Sequence, residues 1–193
     1  MKFTQIPTTA MEEMQLNAGV LLSSFTPSSA EVSGIIGATT GGIKFSATPT
    51  YSDFGEDIDN CPKNMMELKR QDSVEVKISG TFVTVTTAVA KKLMAAADIG
   101  TSDQTKITPR NDLKTEDFAD LWWVGDYSDK NGATKGGFVA IHVMNALNTG
   151  GFQLQSGDKS KGQFAFEFTG HYSIDAQDVV PYEVYIKAGT AEA

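Results

Sequence analysis

Apolar and polar positions alternate along two stretches of this chain in almost the same way. Val74, Val76, Ile78, Gly80 and Phe82 interleave with Glu75, Lys77, Ser79 and Thr81. Phe164, Phe166, Phe168, Gly170 and Tyr172 interleave with Ala165, Glu167, Thr169 and His171. Side chains of a strand point alternately to its two faces, so each stretch predicts a long, half-buried antiparallel strand. Each carries a glycine at the same step of its apolar face, and a glycine inside a strand marks a bend, a bulge or a close backbone approach.

The remaining pattern is mostly of the same kind. Leu16 to Phe25 predicts a first strand, with Leu16, Ala18, Val20 and Leu22 on one side. Thr26-Pro27-Ser28-Ser29 is a turn, and a short strand is expected from Glu31 to Ile36. Gly42 to Ala47 starts another, which Pro49 demotes to a sheet edge or an exit. Residues 52–69 are charged and aperiodic, a long excursion between strands. Thr86 or Thr87 caps a helix reaching Ile99, with Val89, Ala90, Leu93, Met94, Ala96 and Ala97 on one face and Gly100 as its stop. Residues 101–114 read as a polar loop, and Phe118 to Val124 as a strand buried on both faces. A turn at Asp129-Lys130-Asn131-Gly132 precedes a strand from Phe138 to Leu147. Short strands follow at Phe152 to Leu154 and from Tyr182 to Lys187. The fold class expected is mainly β: an antiparallel β-sandwich or curved, barrel-like sheet, one flanking helix at about 86–99 and a long excursion loop at about 52–69. Residues 1–14 are expected to form an N-terminal arm and 15–193 one domain.

A second echo accompanies the first. Gly37-Ala38-Thr39-Thr40-Gly41-Gly42 precedes Ile43, and Gly132-Ala133-Thr134-Lys135-Gly136-Gly137 precedes Phe138, with five of six positions identical. Two pseudo-equivalent halves, and chance recurrence of Gly-Gly turns before strands, explain this equally well. If the halves are real, residues 43–82 and 138–172 must occupy equivalent sheet positions.

Charge narrows the function. The chain has 16 basic and 24 acidic residues, a formal net charge of −8, and no basic stripe. Tight nucleic-acid binding needs clustered cations to displace phosphate counterions, so it is not expected, and anionic membrane surfaces are poor partners. Cys61 is the sole cysteine, which excludes an intrachain disulfide and fits a reducing compartment. The first residues lack the apolar core of a signal peptide, and no run approaches a membrane span, so synthesis in the cytosol is expected.

Catalytic motifs are sparse. The Gly-rich segments precede Ile43 and Phe138 rather than Lys-Ser/Thr and a helix, so they are not phosphate loops. Asp53, Glu56, Asp57, Asp59 and Asn60 lack the ligand spacing of a calcium loop: counted from Asp57, the sixth position is Pro62 and the twelfth Leu68. His142 and His171 have no metal-ligand spacing, and no nucleophile elbow occurs. Trp122 and Trp123 are adjacent in a strand, so at most one can face a ligand, and core packing accounts for them better. No enzyme activity and no cofactor or metal are expected.

Several words of the sequence carry a resemblance. They are the run from Ile43 to Asn60, Asn111-Asp112-Leu113-Lys114, the run from Phe118 to Tyr127, and the run from Phe164 to Tyr172. Together the chain resembles the major tail proteins, or tail tube proteins, of long-tailed bacteriophages and prophages of Gram-positive bacteria. The resemblance implies a β-sandwich with a flanking helix, assembled as stacked hexameric rings into a hollow tube for DNA ejection. It implies a virion location and partners that are further copies of the chain, other tail components (tape measure, tail terminator, baseplate) and DNA passing without specific binding. On this reading Glu75 and Glu167 are candidates to face the lumen and repel phosphates, with Lys77 partly offsetting one of them. Screening confines that effect to about 8–10 Å. Asp53, Phe54, Glu56, Asp57, Asp59, Lys63, Lys69 and Arg70 are candidates for an inter-ring contact, the acidic front of the excursion pairing with a basic rear on another copy. The loop is expected to be mobile until assembly orders it. Two other readings stand beside this one: a tube protein of a contractile or secretion-type injection apparatus, and a non-catalytic carbohydrate-binding β-sandwich module with an exposed aromatic platform.

Overall fold

The computed structural model describes residues 5–127 and 136–189. The first four residues of the expected arm and the expected turn at 129–132 lie outside the described residues. The chain is mainly β, 52% strand and 9% helical, with a large antiparallel sheet and one α-helix. In chain order the strands are β1 (Gln15–Thr26), β2 (Glu31–Ile35), β3 (Thr39–Asp53), β4 (Lys69–Phe82), β5 (Ala97–Ile99), β6 (Ile107–Pro109), β7 (Ala119–Tyr127), β8 (Gly137–Asn148), β9 (Gln153–Gln155), β10 (Gln163–Gly170) and β11 (Tyr182–Lys187). The helix, α1, is Thr87–Leu93.

The two echo strands are hydrogen-bonded neighbours. β10 runs antiparallel to β4, with Phe164 opposite Phe82, Phe166 opposite Gly80, Phe168 opposite Ile78 and Gly170 opposite Val76. Their combined apolar face buries Val74, Val76, Ile78, Phe82, Phe164, Phe166 and Phe168 in one cluster with Leu21, Leu121 and Val143 and with Val89 and Leu93 of α1. Full burial of side chains of this size contributes roughly 1.5–3 kcal/mol each. The glycines serve close approach. A Cβ on Gly80 would stand 2.8 Å from Cζ of Phe166, and one on Gly170 would stand 3.0 Å from Val143 Cγ1 and 3.1 Å from the Pro181 carbonyl oxygen. The alternation ends at Gly170, and the Tyr172 hydroxyl instead accepts a bond from the Val74 N–H at 2.9 Å.

The strand order is β2-β1-β7-β8-β10-β4-β3, with β11 added to β8 and β9 to β10. β8 joins the two parts. Its residues 138–143 lie between β7 and β11, whereas Leu147 and Asn148 pair with Thr169 and Phe168 of β10. Between them Asn145 has φ 48°, and the β7–β8 register shifts at Ala119/Leu121. The Asn145 side chain donates to the His171 carbonyl at 3.1 Å, and its N–H donates to Asp120 Oδ1 at 3.1 Å, which fixes the corner. Leu21, Leu121 and Val143 from one side of the corner thus meet the β4–β10 face from the other, giving a sandwich.

A smaller cluster lies on the outer face around β7 and β8: Leu22, Phe25, Trp122, Phe138 and Ala140. β1 parts from β7 after Leu22, and the Phe25 ring reaches 5.7 Å from Trp122 and 5.1 Å from Phe138. The β1–β2 end of the sheet therefore curls over that face. β1 does not keep the expected single face, because Asn17 (φ 61°) and Gly19 (φ 69°) lie in a bulge between Leu16 and Val20, and both Leu21 and Leu22 become fully buried.

Several expected boundaries move. Pro49 does lie on a sheet edge, but β3 continues past it to Asp53. Gly41 and Gly42 form a bulge within β3 between Thr40 and Ile43 rather than a turn. Thr86 caps α1, its hydroxyl accepting from the Val89 N–H at 3.2 Å, but the helix ends at Leu93 rather than Ile99. Ala95 turns left-handed (φ 59°), and Ala97–Ile99 pair with β6, inside the expected polar loop. The pseudo-equivalent halves fail on topology. Residues 43–82 belong to one continuous hairpin, whereas β8 and β10 pair at only two positions.

Arg110 holds the segment after α1. Its guanidinium lies 2.9 Å from Asp98 Oδ2, donates to both Asp117 oxygens at 2.6 and 2.9 Å, and donates to the Asp112 carbonyl at 2.8 Å. The Asp117 side chain is fully buried. Burial opposes its ionisation, but the Lys114 N–H and the Arg110 guanidinium outweigh burial and hold its carboxyl below the usual carboxylate range. A carboxylate lowered on folding stabilises the protein above the unfolded value of about 3.9, and that contribution is lost as pH falls through the folded value.

Two predictions follow from this packing. Gly80→Val should displace the Phe166 ring and destabilise the chain by about 1–3 kcal/mol in urea unfolding, with Phe166→Leu recovering part of the loss. Asp117→Asn should cost about 2 kcal/mol at neutral pH, and the gap from wild type should close below pH 4; a gap that persists in acid would show that the ion pair does not act as described.

Candidate functional site

The polar face of β3, β4 and β10 is built in rows across three strands. Pairing places Thr48 beside Glu75, then Ser46, Lys77 and Thr169 in one row, then Lys44, Ser79 and Glu167 in the next. Thr81 and Ala165 follow. This face is open, because α1 joins the apolar cluster on the opposite side of the sheet. Shallow depressions lie on either side of Ser79, one lined by Thr40 to Lys44 and the other by Gly150, Gln153 and Glu167.

The three residues expected to face a lumen are brought together here, with a charge different from the one expected. Lys77 Nζ lies 2.7 Å from Glu75 Oε1 and 3.9 Å from Glu167 Oε1. The hydrogen bond to Glu75, aided by both carboxylates, raises the Lys77 ammonium above the ordinary lysine value. Lys44, which the sequence reading passed over, joins the same face from β3 and is exposed. These four residues are therefore two cations and two carboxylates, so they make a balanced face rather than an acidic one. Lys44 was visible in principle, since it alternates with Ile43 and Phe45. What the sequence does not give is the strand order that sets it in one row with Glu167, with Ser79 of β4 between them.

The 52–69 excursion is the tip of an arm. β3 and β4 pair from Thr39 opposite Phe82 out to Asp53 opposite Lys69, so only residues 54–68 connect them. Ser52, Asp53, Lys69 and Arg70 belong to the strands. The tip has internal hydrogen bonds of its own. Asp53 accepts from the N–H groups of Gly55 at 2.9 Å and Asn64 at 2.8 Å, and these bonds lower its carboxyl pKa. The Phe54 N–H donates to the Leu68 carbonyl at 3.0 Å, and Cys61 N–H to the Ile58 carbonyl at 3.1 Å. Gly55 is buried against Cys61 and Leu68. Asp53 thus braces the tip from within.

The expected acidic and basic sections also change. Lys63 lies 3.9 Å from Glu56, and Lys69 donates to Asn64 Oδ1 at 3.4 Å while sitting over the Tyr51 ring. Those cations are engaged within the arm. Asp57 and Asp59 stand exposed. Beside them Phe54, Ile58 and Met66 present apolar side chains to solvent, Met66 at 81% exposure. Of these only Phe54 was among the expected contact residues. The signal for the others was an Ile and a Met-Met pair inside an otherwise charged loop.

Asn148 was also missed. It is buried, donates to the Leu93 carbonyl at 2.6 Å and accepts from the Glu167 N–H at 2.9 Å. It ties the end of α1 to β10 directly beneath the polar face. Neither tryptophan forms an open platform: Trp122 is buried and stacks on His142 at 4.1 Å, and Trp123 Nε1 donates to the Ala18 carbonyl at 3.0 Å. Among the described residues no cluster of His, Cys, Asp and Glu is placed to hold a metal, and no helix is long and apolar enough to cross a membrane. No protein-family model matches the chain, and no curated protein matches it.

Asp53→Ala should remove both acceptors of the tip. Opening of residues 54–64 should become easier, seen as faster amide exchange at Gly55 and Asn64, with the exchange of β4 and β10 unchanged.

Proposed function

We propose that this chain is a structural tube subunit, a major tail protein of a long-tailed phage or prophage. It assembles as hexameric rings, and the rings stack into a hollow conduit for DNA in the virion tail. One observation carries the reading: an ordered two-stranded arm extends from the sandwich and holds Phe54, Ile58 and Met66 in solvent. Exposed apolar groups collected on a braced element mark an interaction site.

On this reading the β3–β4–β10 polar face lines the channel. It is rich in hydroxyls, and Lys77 is held by two carboxylates. Such a wall lets a phosphate backbone pass by offering little to hold it, rather than by repelling it. Tape measure, tail terminator and baseplate proteins are the expected further partners. The buried stack of Trp122 on His142 disfavours the carbohydrate-binding alternative, which needs an open aromatic surface.

Purified protein should form rings or hollow tubes by negative-stain electron microscopy as concentration rises. A species that sediments as a monomer at every concentration up to millimolar would overturn the proposal.

A further inference from the structure

The arm tip has a counterpart at the other end of the same sheet. β4 runs from Lys69, at the root of the tip, to Phe82, which pairs with Phe164 at the start of β10. At about 3.3 Å per residue this is a contour of roughly 43 Å. The β9–β10 connection, residues 156–162, therefore lies at the opposite end from the tip. β9 pairs there with Gln163, Phe164 and Ala165.

The two ends are complementary. Residues 54–68 carry Glu56, Asp57, Asp59 and Glu67 against Lys63, whereas residues 156–162 carry Lys159 and Lys161 against Asp158. Lys159 and Lys161 are exposed. Each end also shows apolar side chains: Phe54, Ile58 and Met66 at the tip, Phe152 and Leu154 at β9, each at least 41% exposed. One end is acidic and apolar, the other basic and apolar, and a contact between unlike ends is heterologous, which propagates instead of closing on itself as a two-fold dimer does.

We infer that the arm tip of one copy seats on the β9–β10 hairpin of the next, with Phe54, Ile58 and Met66 against Phe152 and Leu154 and with Glu56, Asp57 and Asp59 facing Lys159 and Lys161. This rests on the tube reading and adds to it the receiving surface. The apolar contacts supply most of the attraction, and the charges fix its direction, since tip against tip sets carboxylate against carboxylate.

Cross-linking tests the pairing. In a Cys61→Ser background, a chain carrying both Met66→Cys and Leu154→Cys should give a ladder of disulfide-linked multimers when assembled and oxidised. Either cysteine alone should not extend beyond dimers. As a second measurement, Lys159→Glu with Lys161→Glu should raise the concentration needed for assembly about tenfold, and adding Asp57→Lys and Asp59→Lys should restore it. Polymers that form without the Met66–Leu154 ladder, or in which Met66→Cys links to Ile186→Cys instead, overturn this contact and leave the tube reading standing. A wild-type chain that never assembles, together with a double-cysteine chain that never cross-links, overturns both.

Discussion

The ladder between β4 and β10 is the constraint on which the rest of the structure depends. It sets Phe166 over Gly80, and Phe164 and Phe168 against Phe82 and Ile78, so that one face of two strands becomes a continuous apolar surface. Everything else is positioned from it. β3 extends β4 on one side and carries the arm outward. The β8 corner closes on Gly170 from the other side, where a Cβ would meet Val143. Asn148 ties α1 to the Glu167 N–H of the same ladder. The opposite, polar face inherits its order from the same pairing, because period two makes both faces of a strand follow from one register.

How much of this could be read in the sequence depended on the range of the interaction. Alternation is local, and Val74–Phe82 and Phe164–Gly170 are strands with the faces expected. Partner choice is not local. The likeness of the two strands suggested an internal repeat, yet its physical basis is that both line the same side of one core as neighbours. The helix shows the same limit. Val89, Ala90 and Leu93 are buried as the wheel predicts, but Ala96-Ala97-Asp98-Ile99 also favours helix, and only the pairing of Ile99 with Ile107 and the Arg110–Asp98 contact divert it into a strand. Lys91 and Lys92, cations in the last turn, were the local sign of the earlier end.

Charge was the least legible property of the polar face. Reading Glu75 and Glu167 along their own strands makes that face acidic. Once Lys44 enters from β3, and Lys77 is set between both carboxylates, it is balanced. The net charge of −8 must therefore be carried elsewhere, and part of it sits on the arm tip. On the tube proposal, the polar face meets a passing polyanion and the tip a neighbouring copy, and these have opposite needs. The first works best without charge to hold or stop the chain; the second uses charge to reject wrong orientations.

On the tube proposal, an arm tip already hydrogen-bonded within the single chain bears on how subunits associate. A disordered loop that folds on binding loses conformational entropy at that moment, about 1–2 kcal/mol for each residue fixed. Here Asp53 and the Phe54–Leu68 hydrogen bond have already fixed much of the tip in the free chain. Preorganisation of that kind lowers the cost of association without adding a contact. It also carries a hazard, because a braced apolar tip is as ready to meet a wrong surface as a right one. The carboxylates of Glu56, Asp57 and Asp59 around it answer that hazard. On an acidic protein most encounters set like charge against like, so the tip is held off every surface except a basic one. Order in the arm and acidity around its tip are then two parts of one design: the first makes the contact strong enough from few side chains, and the second limits where it can form.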